Sequence, residues 1–352
     1  MSMLALAGLL GAAFTGGWVM FFLGAPMPFL IGGIIGAALF IWIYERGDRL
    51  VPKMSPYIRL CAIAITGAMI GCRVPATIFD TLSELWISAL MVLPFVLIAH
   101  FGNYKIMRHI GGYRPVDAYF SAMPGGLIEA VLLGEKAGAD IRILTVQHFV
   151  RVLSIVMFVP LMFLILTGEV VGSASGASMA QESYAIADIA MLAAIAAVGL
   201  IVGRLLKLPA AHLLGPLMLA IFIGVNFPVD IAVPNWLLNL AQYTIGVTLG
   251  AQFSGINTAL LQKSLKLGAI SVSFMLVLSC VVAFSLMPFV PMDIKELLIS
   301  FAAGGLAEMS LIALSLNLSP VIVALHHLLR IFLSIWLGNI LYNRFFKNKV
   351  KV

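Results

Sequence analysis

Twelve apolar stretches, most of them close to the length that crosses a bilayer, follow one another along this chain with short polar interruptions. A helix needs about 20 predominantly apolar residues to cross a hydrocarbon core roughly 30 Å thick. The stretch 142–167, RILTVQHFVRVLSIVMFVPLMFLILT, is one such run. Apolar residues make up 62% of the 352 and charged residues 10%, which leaves too little polar surface to cover the chain in water. The runs are rich in alanine, leucine and isoleucine with scattered glycine and lack the alternation of barrel strands. The expected fold is therefore an all-α polytopic membrane protein. The longest polar connection runs only from Gly168 to Asp188, so the membrane part carries the function. The start, MSMLALAGLLGAAFTGGWVMFFLG, lacks the basic head of a cleaved signal peptide and reads as the first helix.

Charge and cysteine content narrow the partners. The net charge of +6 comes from basic residues scattered among short loops and the tail KNKVKV, a pattern that orients a membrane protein and does not point to nucleic acid. Cys61, Cys72 and Cys280 lie in apolar runs with no metal or redox spacing, so no metal or cofactor is expected. The expected partners are the lipid bilayer and a small solute or ion. A homodimer stays open beside a monomer.

Sliding the sequence against itself by 179 residues lays 121–153 on 300–332. Nine of these 33 positions match without a gap: Ser121/Ser300, Gly125/Gly304, Gly126/Gly305, Leu127/Leu306, Glu129/Glu308, Leu132/Leu311, Ile143/Ile322, His148/His327 and Arg151/Arg330. Leucine and isoleucine matches are common in any apolar chain; the Gly-Gly, Glu, His and Arg matches are not. The same shift pairs TGAMIGCRV, 66–74, with IGVTLGAQF, 245–253, and a shift of 183 pairs PMPFLIGG, 26–33, with PAAHLLGP, 209–216. The chain thus reads as repeat 1 (1–167), an external linker (168–187) and repeat 2 (188–352).

Each repeat has six apolar segments: 3–23, 28–44, 58–72, 84–104, 118–134 and 142–167, then 188–204, 210–226, 235–252, 265–288, 297–316 and 320–343. If the fifth segment of each is a re-entrant hairpin tipped by Gly-Gly, the basic residues Arg46, Arg49, Lys53, Arg59, Lys105, Arg108, Arg114, Arg204, Lys207, Lys263, Lys266 and the tail fall on the inner side. Only Arg73 and Lys295 are misplaced. Ten crossings with both termini cytoplasmic follow. Five crossings per repeat is odd, so the repeats are expected to be inverted, each with a Gly-Gly broken or re-entrant segment, as in secondary transporters of the bacterial inner membrane.

The polar residues inside these segments are the candidate site. Irregular backbone at membrane depth must face protein or a watery cavity, which places Gly125, Gly126, Gly304 and Gly305 at two facing tips. Helices that start there aim free N–H groups at one point and suit an anion. A carboxylate at mid-membrane costs roughly 3 kcal/mol or more, so Glu129 and Glu308 read either as proton or sodium carriers or as caps of the broken helices. His148 and Arg151 share a helical face, as do His327 and Arg330. The arginines are candidates for clamping a carboxylate solute or for holding the hairpin backbone, and the latter is favoured. The histidines are candidate proton relays or neutral structural groups. Gly67, Gly71, Gly246 and Gly250, spaced by four, read as close-packing positions.

The paired PGG-L-x-E and Q-H-x-x-R elements, with the preceding PAAHLLGP type of segment, resemble the AbrB-type duplicated membrane protein family over essentially the whole chain. Its members carry transporter, regulator and ammonia monooxygenase labels, and it is distinct from the soluble DNA-binding regulator of the same name. It is similar to the cation/proton antiporter and anion transporter superfamily, and the resemblance implies inverted five-helix repeats with broken helices. The second copy departs from the pattern, with Ala303 for Pro124 and His326 for Gln147.

The leading functional expectation is secondary active transport of a small anionic solute coupled to H⁺ or Na⁺, not enzyme catalysis. No GxxxxGK[ST] motif supports direct ATP coupling. The alternative is a membrane-embedded regulator or sensor that affects gene expression indirectly. A membrane monooxygenase ranks lower, because His100, His109, His148, His212, His326 and His327 contain no i, i+4 pair for copper or iron.

Overall fold

The structure, a computed structural model, describes residues 3–25, 27–47, 54–72, 74, 85–168, 184–208, 210–227, 231–316 and 318–346. Among them every regular element is helical. The first half contributes α1 (Met3–Phe22), α2 (Pro28–Tyr44), α3 (Pro56–Gly71), α4 (Trp86–Lys105), α5 (Pro115–Ser121), α6 (Leu127–Lys136) and α7 (Ile141–Thr167). The second repeats the order with α8 (Ile186–Leu205), α9 (Ala211–Asn226), α10 (Asn235–Gly250), α11 (Thr258–Leu286), α12 (Ile294–Phe301), α13 (Leu306–Ser315) and α14 (Pro320–Leu341). Each apolar stretch falls on one helix, except the fifth of each half, which falls on a pair of short ones. Most of the external linker (169–183), Arg49, Lys53, Arg73 and the tail from 347 lie outside the described residues.

Among the described residues six helices are long and apolar enough to cross a membrane: Met3–Phe22, Trp86–Ile110, Ile141–Ile165, Ile186–Leu205, Thr258–Leu286 and Pro320–Arg344. The chain is a multi-pass membrane protein. Of the ten crossings expected, four fall on shorter helices: α2 has 17 residues and α3, α9 and α10 have 16 each. At about 1.5 Å per residue they are roughly 24–26 Å long. α2 and α9 are shortened by equivalent breaks, since each starts after a left-handed non-glycine residue, Met27 (φ 44°) and Ala210 (φ 47°). The shift of 183 superposes these two positions, so the duplication has kept a conformation that costs about 1 kcal/mol or more for an L residue.

Contacts gather the chain into two compact units, each drawing on both halves. One comprises 1–79, 157–255 and 310–321, the other 80–156, 256–309 and 322–352. In the first, α2 lies against α10 and α3 against α9 through glycine. A Cβ on Gly67 would strike the Leu213 carbonyl and one on Gly71 the Leu217 carbonyl. Reciprocally, a Cβ on Gly246 would strike the Leu30 carbonyl and one on Gly250 would lie 2.7 Å from the Ile34 carbonyl. Under the repeat shifts Gly67 maps to Gly246 and Leu30 to Leu213, so the two interfaces are one contact made twice, the mark of two-fold pairing. Such close approach lets backbones pack where lipid offers no hydrophobic drive.

In the second unit, α5 and α6 form a helical hairpin. The Arg114 guanidinium donates to the Asp117 carboxylate at 2.7 and 2.9 Å and to the Gly138 carbonyl at 3.4 Å, while the Asp140 N–H donates to Asp117 at 2.8 Å. These bonds clasp the start of α5 to the end of α6. A Cβ on Gly134 would lie 3.2 Å from the Phe120 side chain, so the two arms lie side by side. The first fifth segment is thus a hairpin of two short helices closed at its base. Its wall is α14: the Tyr119 hydroxyl donates to the Gly338 carbonyl at 2.8 Å, and Val116, Phe120, Met123, Ala130, Leu144 and Tyr342 form a buried cluster around it.

The reciprocal glycine contacts predict that Gly67→Leu and Gly246→Leu each destabilise the folded protein by about 1–3 kcal/mol. Gly224→Leu, on α9 but with no neighbour to strike, is expected to be near neutral. Thermal melts in detergent compare the three.

Candidate functional site

Two helix breaks shape the second unit. The first, residues 122–126, separates α5 from α6, and the second, residues 302–305, separates α12 from α13. Pro124 has no N–H to continue a helix, and Gly126 adopts φ 70°, ψ 68°, which glycine reaches without steric penalty. Breaks of this kind strip backbone carbonyls of their helical partners, and each stripped carbonyl needs a donor.

The paired histidine and arginine supply it. The His148 Nε2 lies 2.9 Å from the Phe120 carbonyl, and since a carbonyl only accepts, this nitrogen carries the proton. Arg151 donates through Nη1 to the Met123 carbonyl. From α14, Arg330 donates to the Ala302 carbonyl at 2.6 Å and to the Gly304 carbonyl at 2.8 Å. The shift of 179 carries Arg151 onto Arg330 and Met123 onto Ala302, so the bracing bond is also made twice. The arginines hold the broken backbone, the arrangement favoured from sequence. His148, Arg151, His327 and Arg330 are all buried.

The breaks are brought together at Arg330. A Cβ on Gly125 would lie 3.0 Å from Ile331 Cα and 3.4 Å from the Arg330 carbonyl, so the first tip rests on the backbone of the residue whose side chain braces the second. Arg151 in turn braces Met123, two residues before Gly125. The two positively charged groups thus sit in one buried neighbourhood.

The copies differ elsewhere. His327 donates Nδ1–H to the Val323 carbonyl of its own helix at 2.9 Å, so the matched histidines protonate opposite nitrogens in their neutral forms. Gln147 accepts from the Tyr113 hydroxyl at 3.4 Å, whereas His326 bonds the Ile322 carbonyl at 2.9 Å and the Ser88 hydroxyl at 3.0 Å. The glutamates differ most: Glu129 is exposed, while Glu308 is 2% exposed. Both fold back over their own helix start. The Glu129 Oε2 lies 3.2 Å from the position of a Cβ on Gly126, and a Cβ on Gly305 would collide with the Glu308 carboxylate. Each glutamate thus occupies the third helical position behind its glycine, where a carboxylate favours the helix start.

Sequence reasoning missed the hairpin clasp Asp117 and three buried serines, Ser121, Ser300 and Ser334, whose hydroxyls have no partner among the described residues. Ser121 and Ser300 stood among the nine matched positions, and a polar identity in an apolar alignment was the available signal. The Nε–H groups of Arg151 and Arg330 are likewise unpartnered. Among the described residues no three His, Cys, Asp or Glu side chains gather as a metal-ligand set.

The class defined by this fold and site is a duplicated, all-helical, multi-pass membrane protein with paired helix breaks braced by buried arginines. Residues 29–346 match the family model described as "Transition state regulatory protein AbrB", and the chain belongs to that family. It is similar to "Putative regulator AbrB" of Escherichia coli (strain K12), 26% identical over 310 residues, covering 87% of this chain and 86% of the relative. It is also similar to "Uncharacterized protein YhjN" of Bacillus subtilis (strain 168), 23% identical over 344 residues, covering 91% and 88%. The family resemblance carried by the paired motifs is thus the relationship found.

The bracing geometry predicts unequal losses. Arg330→Met removes two backbone bonds and Arg151→Met one, so the first is expected to lower stability more, by about 3–5 kcal/mol. Arg330→Lys is not expected to rescue it, because a single ammonium lacks the planar fork that reaches both Ala302 and Gly304. Chemical unfolding in mixed micelles measures the order.

Proposed function

We propose that this protein is a secondary active transporter that moves a small anionic solute with H⁺ or Na⁺ across the bacterial cytoplasmic membrane. The observation that carries this reading is the meeting of two equivalent helix breaks at Arg330 in a buried, positively charged neighbourhood. Broken segments in matching positions of two repeats are the recurrent binding-site design of secondary transporters. An inverted relation of the halves, with both termini inside, is supported by the first hairpin, which adds no crossing, and by the two-fold glycine contacts. In this reading Gly125, Gly126, Gly304 and Gly305 shape the solute site and Arg151 and Arg330 supply its charge.

The coupling role falls to Glu308 before Glu129. Glu308 is buried and Glu129 exposed, and carboxylates buried at membrane depth are the ones that mark ion and proton paths. His148 and His327, each bonded to a carbonyl through one nitrogen, are the neighbouring groups able to pass a proton. A second reading follows from the printed names, which speak of regulation: an effect on gene expression through the solute or a partner, with no flux of its own.

Uptake into proteoliposomes under an imposed pH or sodium gradient, across a panel of organic and inorganic anions, tests the proposal. Gradient-driven accumulation is expected, with Glu308→Gln lowering it by about tenfold or more and Glu129→Gln by less than about threefold. Absence of flux for every solute with folded protein, or equal losses in the two variants, overturns the transport reading or the coupling assignment respectively.

A further inference from the structure

Buried polar side chains in proteins are nearly always hydrogen-bonded, so a cluster of unpartnered ones marks a place prepared for something else. The second unit contains one. Ser121 and Ser300 are 3% and 2% exposed, and their hydroxyls have no partner among the described residues. They occupy equivalent positions in the two repeats, each two residues before the carbonyl that an arginine braces, Met123 or Ala302. Ser334, one helical turn after Arg330, is 2% exposed and also unpartnered, and its Oγ lies 3.2 Å from the position of a Cβ on Gly125. The hydroxyl therefore sits at the first tip.

The arginines add the charge. Arg151 spends Nη1 and Arg330 both Nη groups on backbone carbonyls, and the Nε–H of each has no acceptor among the described residues. His148 Nδ1 is unpartnered too among the described residues, and in the neutral ring bonded through Nε2 this nitrogen accepts. Five unpartnered donors thus outnumber the acceptor His148 Nδ1, and two guanidiniums serve the same pair of breaks. A cation is repelled here, and a neutral apolar ligand leaves the donors unmet. An oxyanion answers both conditions, because its oxygens carry negative charge and about four lone-pair directions for N–H and O–H groups.

We propose that the two helix breaks share one oxyanion site, built for a carboxylate or sulfate group, in which the hydroxyls of Ser121, Ser300 and Ser334 and the Nε–H groups of Arg151 and Arg330 contact the ligand. This deepens the transport reading, on which it rests for the solute's class. The bracing bonds through Nη and the ligand bonds through Nε divide the labour of each guanidinium, so the broken backbone holds its shape whether or not the anion is present. The serines set affinity, because removing them leaves the brace intact.

The test is equilibrium binding to the full chain in detergent, with no gradient, read as the shift in melting temperature by tryptophan fluorescence. Acetate, succinate and sulfate are titrated against chloride at matched ionic strength. At least one oxyanion is expected to raise the melting temperature saturably and chloride to leave it unchanged. The Ser121→Ala/Ser300→Ala double variant is expected to weaken the apparent Kd by about tenfold or more, equivalent to about 1.4 kcal/mol. Ser334→Ala, a smaller perturbation at one tip, is expected to weaken it by about threefold or more, and decides alone if the double variant does not fold. No saturable shift with any of the three oxyanions, or undiminished affinity in the folded variants, overturns the site. Binding without flux in liposomes would sink the transport reading and leave the site standing; flux with unchanged affinity in the serine variants would do the reverse.

Discussion

A backbone carbonyl that leaves its helix in a dry interior must find a donor, and the second unit is arranged around that need. Two helices are interrupted by Pro-Gly-Gly and Ala-Gly-Gly, which frees carbonyls where lipid and apolar side chains cannot meet them. Arg151 and Arg330 reach in from α7 and α14 and bond Met123, Ala302 and Gly304. Burying a guanidinium is costly in itself. The cost is borne because a straight helix would present no irregular backbone, and hence no converging polar groups, at this depth.

Duplication explains why the solution appears twice. Close glycine contacts, the left-handed residues ahead of α2 and α9, and the arginine-to-carbonyl bonds each recur under a fixed shift. The copies diverge in Gln147 against His326, in the ring nitrogen that His148 and His327 each turn to a carbonyl, and in the exposure of Glu129 against Glu308. The braces themselves are unequal, since Arg330 bonds two carbonyls of its break and Arg151 one.

Much of this was legible in the chain. The apolar runs located the helices because a bilayer demands length and hydrophobicity, and Gly-Gly located the breaks because few other residues permit them. The matched arginines stood out because charge in an apolar run must have a reason. Even the short α2, α3, α9 and α10 were legible to within two residues; what the hydropathy did not show were the left-handed residues, Met27 and Ala210, ahead of α2 and α9. The difference between Glu129 and Glu308 was invisible, since identical residues in identical motifs diverge only through what packs on them. Asp117 carries no signal of its own in the sequence. Its bonds to Arg114 and Asp140 depend on the chain turning back, which the sequence suggests but does not display.

That turn also sets a timetable for biosynthesis. The clasp joins residues 114, 117 and 140, so it can close while the chain is still emerging. Arg151 follows soon after and reaches Met123 over a span of 28 residues. The wall of the hairpin arrives much later, because Tyr119 is bonded to Gly338, 219 residues further along. Until α14 is inserted, an early hairpin must hold its buried face in the membrane without its neighbour. A local clasp that costs little loop-closure entropy is what makes such waiting possible.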